Sequence, residues 1–247
     1  MSSQQTSYPL KGVWAKYEQA ARHLQHYKDC YKDFATSNDF AVLVSNQTVE
    51  PKGALRPEDV WPELSCVVGD CIHNLRSALD HVAFAFGSQR LTEKQLRRLY
   101  FTICLTQAAF DKATGEEPIS ILGEDWQAFL QSVQPFNGQP YDALGTLHEL
   151  DNIDKHRLIF SLSARSDVNS RRSDGTWDKK SLDLRDGLVQ MPTADGAVVI
   201  AAHYLSLPHV TADSARPRPV ETDLLNFYTI VGGVIRMANA RFFQAES

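Results

Sequence analysis

Only four of the 247 residues are cysteine, Cys30, Cys66, Cys71 and Cys104, and no two are spaced as a Cys-x-x-Cys pair. Cys66 and Cys71 lie five apart and point in different directions on a helix, which leaves free, mostly buried thiols as the expected state. Long apolar runs are also missing. The longest, such as Val82 to Phe86, fall far short of the roughly 20 residues that cross a bilayer, and residues 1–10 are polar with no apolar signal core. These absences predict a cytoplasmic protein with no membrane partner. There is no Gly-rich phosphate loop and no internal repeat. A large excess of basic charge is lacking as well: the net charge is −5 and the pI about 5.9, which argues against broad nonspecific coating of nucleic acid while leaving room for a local basic site. The pairs Arg97-Arg98 and Arg171-Arg172 read as solvated surface.

What is present is ordinary globular material, 43% apolar and 22% charged, enough for a good core. Val13, Tyr17, Ala20, Leu24, Tyr27, Tyr31 and Phe34 recur in steps of four and three, as one face of a long helix requires. The stretch 40–49 is apolar and β-prone, closed by Pro51 and Gly53, and predicts a strand. Helices are predicted over 57–86, with Gly87 as the stop, briefly over 90–99, around Trp126, Phe129, Leu130 and Val133, and from Pro140 onward. Residues 107–112 read as a turn of helix. Residues 166–180 are almost wholly polar with an Asp174-Gly175 turn and read as a flexible loop. The segments 182–191 and 197–204 read as a hairpin or two sheet strands able to pair with 40–49. Residues 221–243 place Leu224, Phe227, Tyr228, Val231, Val234, Ile235, Ala238 and Phe242 on one apolar face and predict a core helix. Because the early strand finds its partners late in the chain, sheet and bundle are interleaved. The expected fold is α+β, a mostly helical bundle with a small antiparallel β-sheet, forming a single domain over 11–247 behind a polar tail at 1–10.

Two stretches carry the chemistry: Gly69-Asp-Cys-Ile-His-Asn-Leu-Arg-Ser-Ala-Leu-Asp-His81 and Leu147-His-Glu-Leu-Asp-Asn-Ile-Asp-Lys-His-Arg157, which together hold four of the eight histidines. At 100° per residue, Asp70, Arg76, Ser77, Asp80, His81 and Phe84 fall within about 80° of His73, and apolar residues fill the rest of the helix. A solvated face usually carries Lys, Glu and Gln, whereas this stripe is short acids, His, Ser and Arg, so it reads as functional. In the second stretch Leu147, Leu150, Ile153 and Leu158 make the packing face. Asp151 and Asp154 flank it on one side, and Glu149, Asn152 and His156 fall on the other. Lys155 and Arg157 also suit the end of a helix dipole.

The segment Arg76-Ser-Ala-Leu-Asp-His81 resembles the Arg-x4–6-His motif of the higher eukaryotes and prokaryotes nucleotide-binding (HEPN) domain family. That resemblance implies a helical bundle, metal-independent RNA cleavage or nucleotide binding, and a homodimer that brings two motifs together. His81 would be the acid or base at a ribose 2′-hydroxyl and Arg76 would hold the scissile phosphate, chemistry suited to a near-neutral imidazole and a fixed guanidinium fork. Asp70, His73, Asn74, Ser77, Asp80, Asp154, His156 and Arg157 would line the ligand site. The wider arrangement, with Asp-Lys-His-Arg much later, is also similar to a recurrent uncharacterised bacterial family that brings no activity with it.

Two other classes stay open. Asp70-Cys-Ile-His73 has the carboxylate and imidazole spacing of helical-bundle metalloenzymes, and Glu149 or His156 would complete an O/N shell for a divalent transition metal. His23 and His26, three apart, are a further pair, with His26 beside the tyrosine seam and read as structural. The third class is a non-catalytic scaffold in which His73, Arg76 and Asp80 pair with Asp154 and Arg157 as a buried polar network.

Overall fold

In chain order the elements are α1 (Lys11–Ser37), β1 (Ala41–Ser45), β2 (Thr48–Lys52), α2 (Pro57–Gly87), α3 (Glu93–Leu96), α4 (Gln107–Gly115), α5 (Glu124–Ser132), α6 (Asp142–His156), β3 (Ser163–Arg171), β4 (Trp177–Asp183), β5 (Val189–Gln190), β6 (Val199–Ser206) and α7 (Val220–Phe242). The computed structural model describes residues 10–37, 41–45, 48–52, 57–156, 163–171, 174–183, 189–190, 199–207 and 218–243. These residues are mostly helical, in keeping with the bundle expected from the apolar periodicities. No helix among them is long and apolar enough to cross a membrane.

The chain divides into two compact units, and the divisions fall inside α1, α2 and α7. The first holds residues up to Leu24, Gly69–Leu158 and Leu224 onward. Its core is largely the set the helical periods predict, with Ile153, Tyr228 and Phe242 of those faces only half-buried. Val13, Ala20, Ile72, Leu75, Ala78, Leu79, Val82, Leu144, Leu147, Leu150, Phe227, Val231, Val234, Ile235 and Ala238 are all buried. Aromatic rings close one end: Phe86 stacks on Trp126 with centroids 4.4 Å apart, and Phe101, Phe129 and Phe242 meet the same group edge-on or tilted. Rings in such offset and T-shaped pairs gain about 0.5–1.5 kcal/mol beyond the area they bury. Between α3 and α4 the chain runs extended through Phe101–Cys104, with Phe101 and Thr102 buried, and pairs with no strand among the described residues.

The second unit holds Gln25–Val68 and Ile159–Asp223. Here the pattern departs from the sequence expectation. The 40–49 segment is not one strand: 41–45 form β1 and 48–49 begin β2, the two arms of a hairpin with Ala41 opposite Lys52 and Ser45 opposite Thr48. On the other side of β2, β5 pairs with it. Residues 166–180, expected as a flexible loop, are largely two strands instead. β3 pairs antiparallel with β4 from Arg165–Asp183 to Arg171–Trp177, and with β6 on its other side. The difference has a physical source: Ser, Asp, Asn and Arg dominate β3, and sequence reasoning rejects a strand when neither face is apolar. The turn itself follows expectation. Gly175 takes φ 86°, and the Asp174 carboxylate accepts from the Thr176 amide at 2.9 Å and from its hydroxyl at 2.6 Å.

Candidate functional site

The two motif helices meet within the first unit. Leu147 and Leu150 of α6 are buried, and one helical turn further on Asp154 lies against α2 at Gly69. A Cβ built on Gly69 would fall 2.6 Å from Asp154 Oδ1, well inside contact distance. Glycine is what lets the carboxylate approach the α2 backbone this closely.

One turn along α2, His73 reaches the same helix. Its Nδ1 lies 3.2 Å from Oδ1 of Asp151, and the two side chains differ sharply in exposure, 43% for His73 against 1% for Asp151. A buried carboxylate that accepts from Nδ1–H sets the tautomer and leaves Nε2 as the nitrogen able to take a proton. On that side Ser77 Oγ sits 3.4 Å from Nε2, one turn up α2. Ser77, His73 and Asp151 therefore form a line of hydroxyl, imidazole and buried carboxylate. Asp70, one turn below His73, is exposed. Asn74 is buried, with its amide donating to the Asp70 carbonyl at 2.8 Å, and so serves the helix itself.

Arg76 faces elsewhere. Only 4% of its surface is exposed, and its guanidinium donates to Asp80 Oδ1 at 2.7 Å and to the Phe101 carbonyl at 2.8 Å. The Phe101 amide donates to that same Asp80 oxygen at 2.8 Å. The far side of the extended segment is held by Gln134, fully buried, whose Nε2 donates to Thr102 O and Leu130 O while its Oε1 accepts from the Cys104 amide at 2.7 Å. Backbone groups of a buried stretch need partners, and three side chains supply here what a neighbouring strand would. The helical-wheel stripe of α2 thus splits in two: Arg76 and Asp80 bind the chain's own backbone, and His73 and Ser77 face the Asp151 side.

His81 stands apart from Arg76. It is exposed, and its imidazole lies over α1, where a Cβ on Gly12 would come within 2.9 Å of Nδ1. Asp154 sits at Gly69, and His73 pairs with Asp151. Glu149 is exposed on α6, and His156 is the last residue of that helix. The His156 side chain and Arg157 lie outside the described residues. Of the alternative metal set, Asp70, His73 and Glu149 do not converge; among the described residues the one group of His, Cys, Asp or Glu that does is His26, Cys30 and Glu63. Cys71 is buried against the Ala20 carbonyl, and burial with the nearby Asp70 pushes its thiol up to about 12. It is a packing residue.

Sequence reasoning left Asp151 out of the site and treated it as a flank of the Leu147–Leu150 packing face. The signal was present in the Asp151 and Asp154 spacing of three, which puts both carboxylates on one edge of α6. Gln134 carried no local signal, since its partners are backbone atoms of a distant segment. No family model, curated protein or solved structure matches this chain.

Proposed function

We propose that this chain cleaves RNA phosphodiesters without a metal, using His73 as its proton-transfer group and Asp151 as the carboxylate that orients it. The observation that carries the reading is the contact of a half-exposed imidazole with a buried carboxylate at 3.2 Å, which leaves Nε2 on the Ser77 side. An imidazole held in this way can serve as a proton-transfer group, a contribution of about 10²–10⁴-fold in rate. Cleavage through the ribose 2′-hydroxyl suits this arrangement because the nucleophile belongs to the substrate. His73 then takes the 2′ proton as base and, as the imidazolium so formed, returns a proton to the departing 5′ oxygen.

Acyl transfer by Ser77 is less well served. Ser77 lies in the body of α2, where backbone amides are spent on i to i−4 bonds, and an oxyanion needs preorganised donors aimed at it. The HEPN resemblance points to the same substrate class through different residues. Its Arg76 is committed to Asp80 and Phe101, so the chemistry falls to His73, with His156 and Arg157 as phosphate-binding groups to test by substitution.

The test is incubation with a single-stranded RNA pool in excess chelator. The expected result is product ending in 2′,3′-cyclic phosphate, reduced at least about 10²-fold in His73→Gln and Asp151→Asn and retained in His81→Ala. Cleavage that survives His73→Gln, or that the chelator abolishes, overturns it.

A second reading rests on a separate observation. Arg76, Asp80 and Gln134 all bind backbone of the same extended segment, which supports a scaffold in which the polar residues specify packing alone. Under that reading no nucleic acid is cut and Arg76→Ala acts on stability alone.

A further inference from the structure

A different cluster lies in the second unit. His26 and Cys30 stand one turn apart on α1, and Glu63 on α2 joins them, so that one potential ligand atom from each lies within 4.8 Å of the others. We propose that His26, Cys30 and Glu63 bind a divalent transition metal of the zinc class, with a further coordination position open to water.

Geometry supports this first. Cys30 Sγ is 3.8 Å from Nδ1 and 3.7 Å from Nε2 of His26. Ligand atoms around a tetrahedral zinc stand about 3.3–3.8 Å apart, given bonds of about 2.0–2.3 Å. One edge of the polyhedron is therefore already the right length, and a spacing of four residues on a helix puts both donors on the same face. Ligand chemistry then narrows the ion. One thiol, one imidazole and one carboxylate make a borderline set that suits zinc or cobalt and disfavours magnesium and calcium, which take oxygen shells. His26 and Glu63 are exposed and Cys30 partly so, which leaves an approach for the ion and room for water.

Electrostatics point the same way. Burial, then the charges of Glu63, Asp33 and Asp29, push the Cys30 thiol above its usual range. These three carboxylates from α1 and α2 make the sulfur's surroundings negative, which opposes a bare thiolate and favours a dication. Of the two lysines nearest in sequence, Lys28 and Lys32, Lys28 is engaged with Glu221 at 3.1 Å.

The experiment is a cobalt(II) titration of the full chain, followed by thiolate-to-cobalt charge-transfer absorption, with zinc(II) then added as competitor. One equivalent of cobalt should bind with that band and be displaced by zinc. Cys30→Ser should abolish the band, and His26→Gln and Glu63→Gln should each weaken binding about tenfold or more, while Cys66→Ser changes nothing. All four positions are at least partly exposed, so far-UV circular dichroism of each variant should match the parent. Absence of binding, binding without the charge-transfer band, a band that survives Cys30→Ser, or one lost in Cys66→Ser overturns the proposal.

Discussion

Replacing Arg76 by alanine removes two charge-assisted hydrogen bonds and the aliphatic stem that fills the space beneath them. The bond to the Phe101 carbonyl is the costlier loss, because Phe101 is fully buried and an unmatched carbonyl there costs about 1–3 kcal/mol. The bond to Asp80 matters less. That carboxylate keeps 34% side-chain exposure, so water replaces part of what the guanidinium supplied. Breaking a buried ion pair by deleting one partner costs about 3–5 kcal/mol, and the partial exposure of Asp80 puts the expected loss at the low end, about 3 kcal/mol. Urea unfolding should show a lower midpoint with an unchanged slope. Arg76→Lys, with a compact ammonium in place of the fork, should recover about half of the loss, since it cannot reach both acceptors in the same geometry. The double variant Arg76→Ala with Asp80→Ala should show a coupling of about 1–2 kcal/mol. A loss below about 0.5 kcal/mol for Arg76→Ala, or no coupling to Asp80, would refute the bracing role and return Arg76 to the phosphate-holding role that the HEPN resemblance implies.

Four further outcomes follow from the same geometry. Gln134→Ala strands Thr102 O and the Cys104 amide and should destabilise by about 2–3 kcal/mol, read as a drop in Tm. Trp126→Ala opens the centre of the aromatic cluster and should cost about 3–5 kcal/mol in the same urea assay. His81→Ala, at an exposed position, should stay within about 0.5 kcal/mol of the parent by thermal unfolding. A thiol near 12 is deprotonated to about one part in 10⁴ at pH 8, so alkylation mapped by mass spectrometry should mark exposed Cys66 quickly and Cys71 only after unfolding.

Apolar periodicity made the long helices legible. Val13, Tyr17, Ala20 and Leu24 gave away α1, and α2 and α7 run within a residue or so of their expected ends, because a wide apolar stripe at period 3.6 can be buried only when the segment is helical. The hairpin of β3 and β4 was hidden because strands rich in Ser, Asp, Asn, Lys and Arg lack the alternation by which a strand is read. In the candidate site, a helical wheel brought out the polar stripe of α2 correctly but could not rank its members. Exposure on a wheel is assigned by angle alone, and Arg76 lies under a segment some twenty-five residues later whose path no local pattern announces. Asp151 was passed over for the complementary reason, since a carboxylate beside Leu150 on a packing edge looks like a boundary residue until its imidazole partner is in place.

Side chains in place of a neighbouring strand have a consequence for local opening. In a ladder, strand neighbours release one another in sequence, and protection of each amide depends on the whole sheet. At Phe101 and Cys104 each amide is closed by one side-chain oxygen, from Asp80 and Gln134 respectively. Their hydrogen exchange should therefore proceed by separate small openings governed by two rotamers, and Gln134→Ala should speed exchange at Cys104 more than at Phe101. The segment is then fastened at two separate points, and the Cys104 end can loosen while Phe101 stays seated among the aromatic rings.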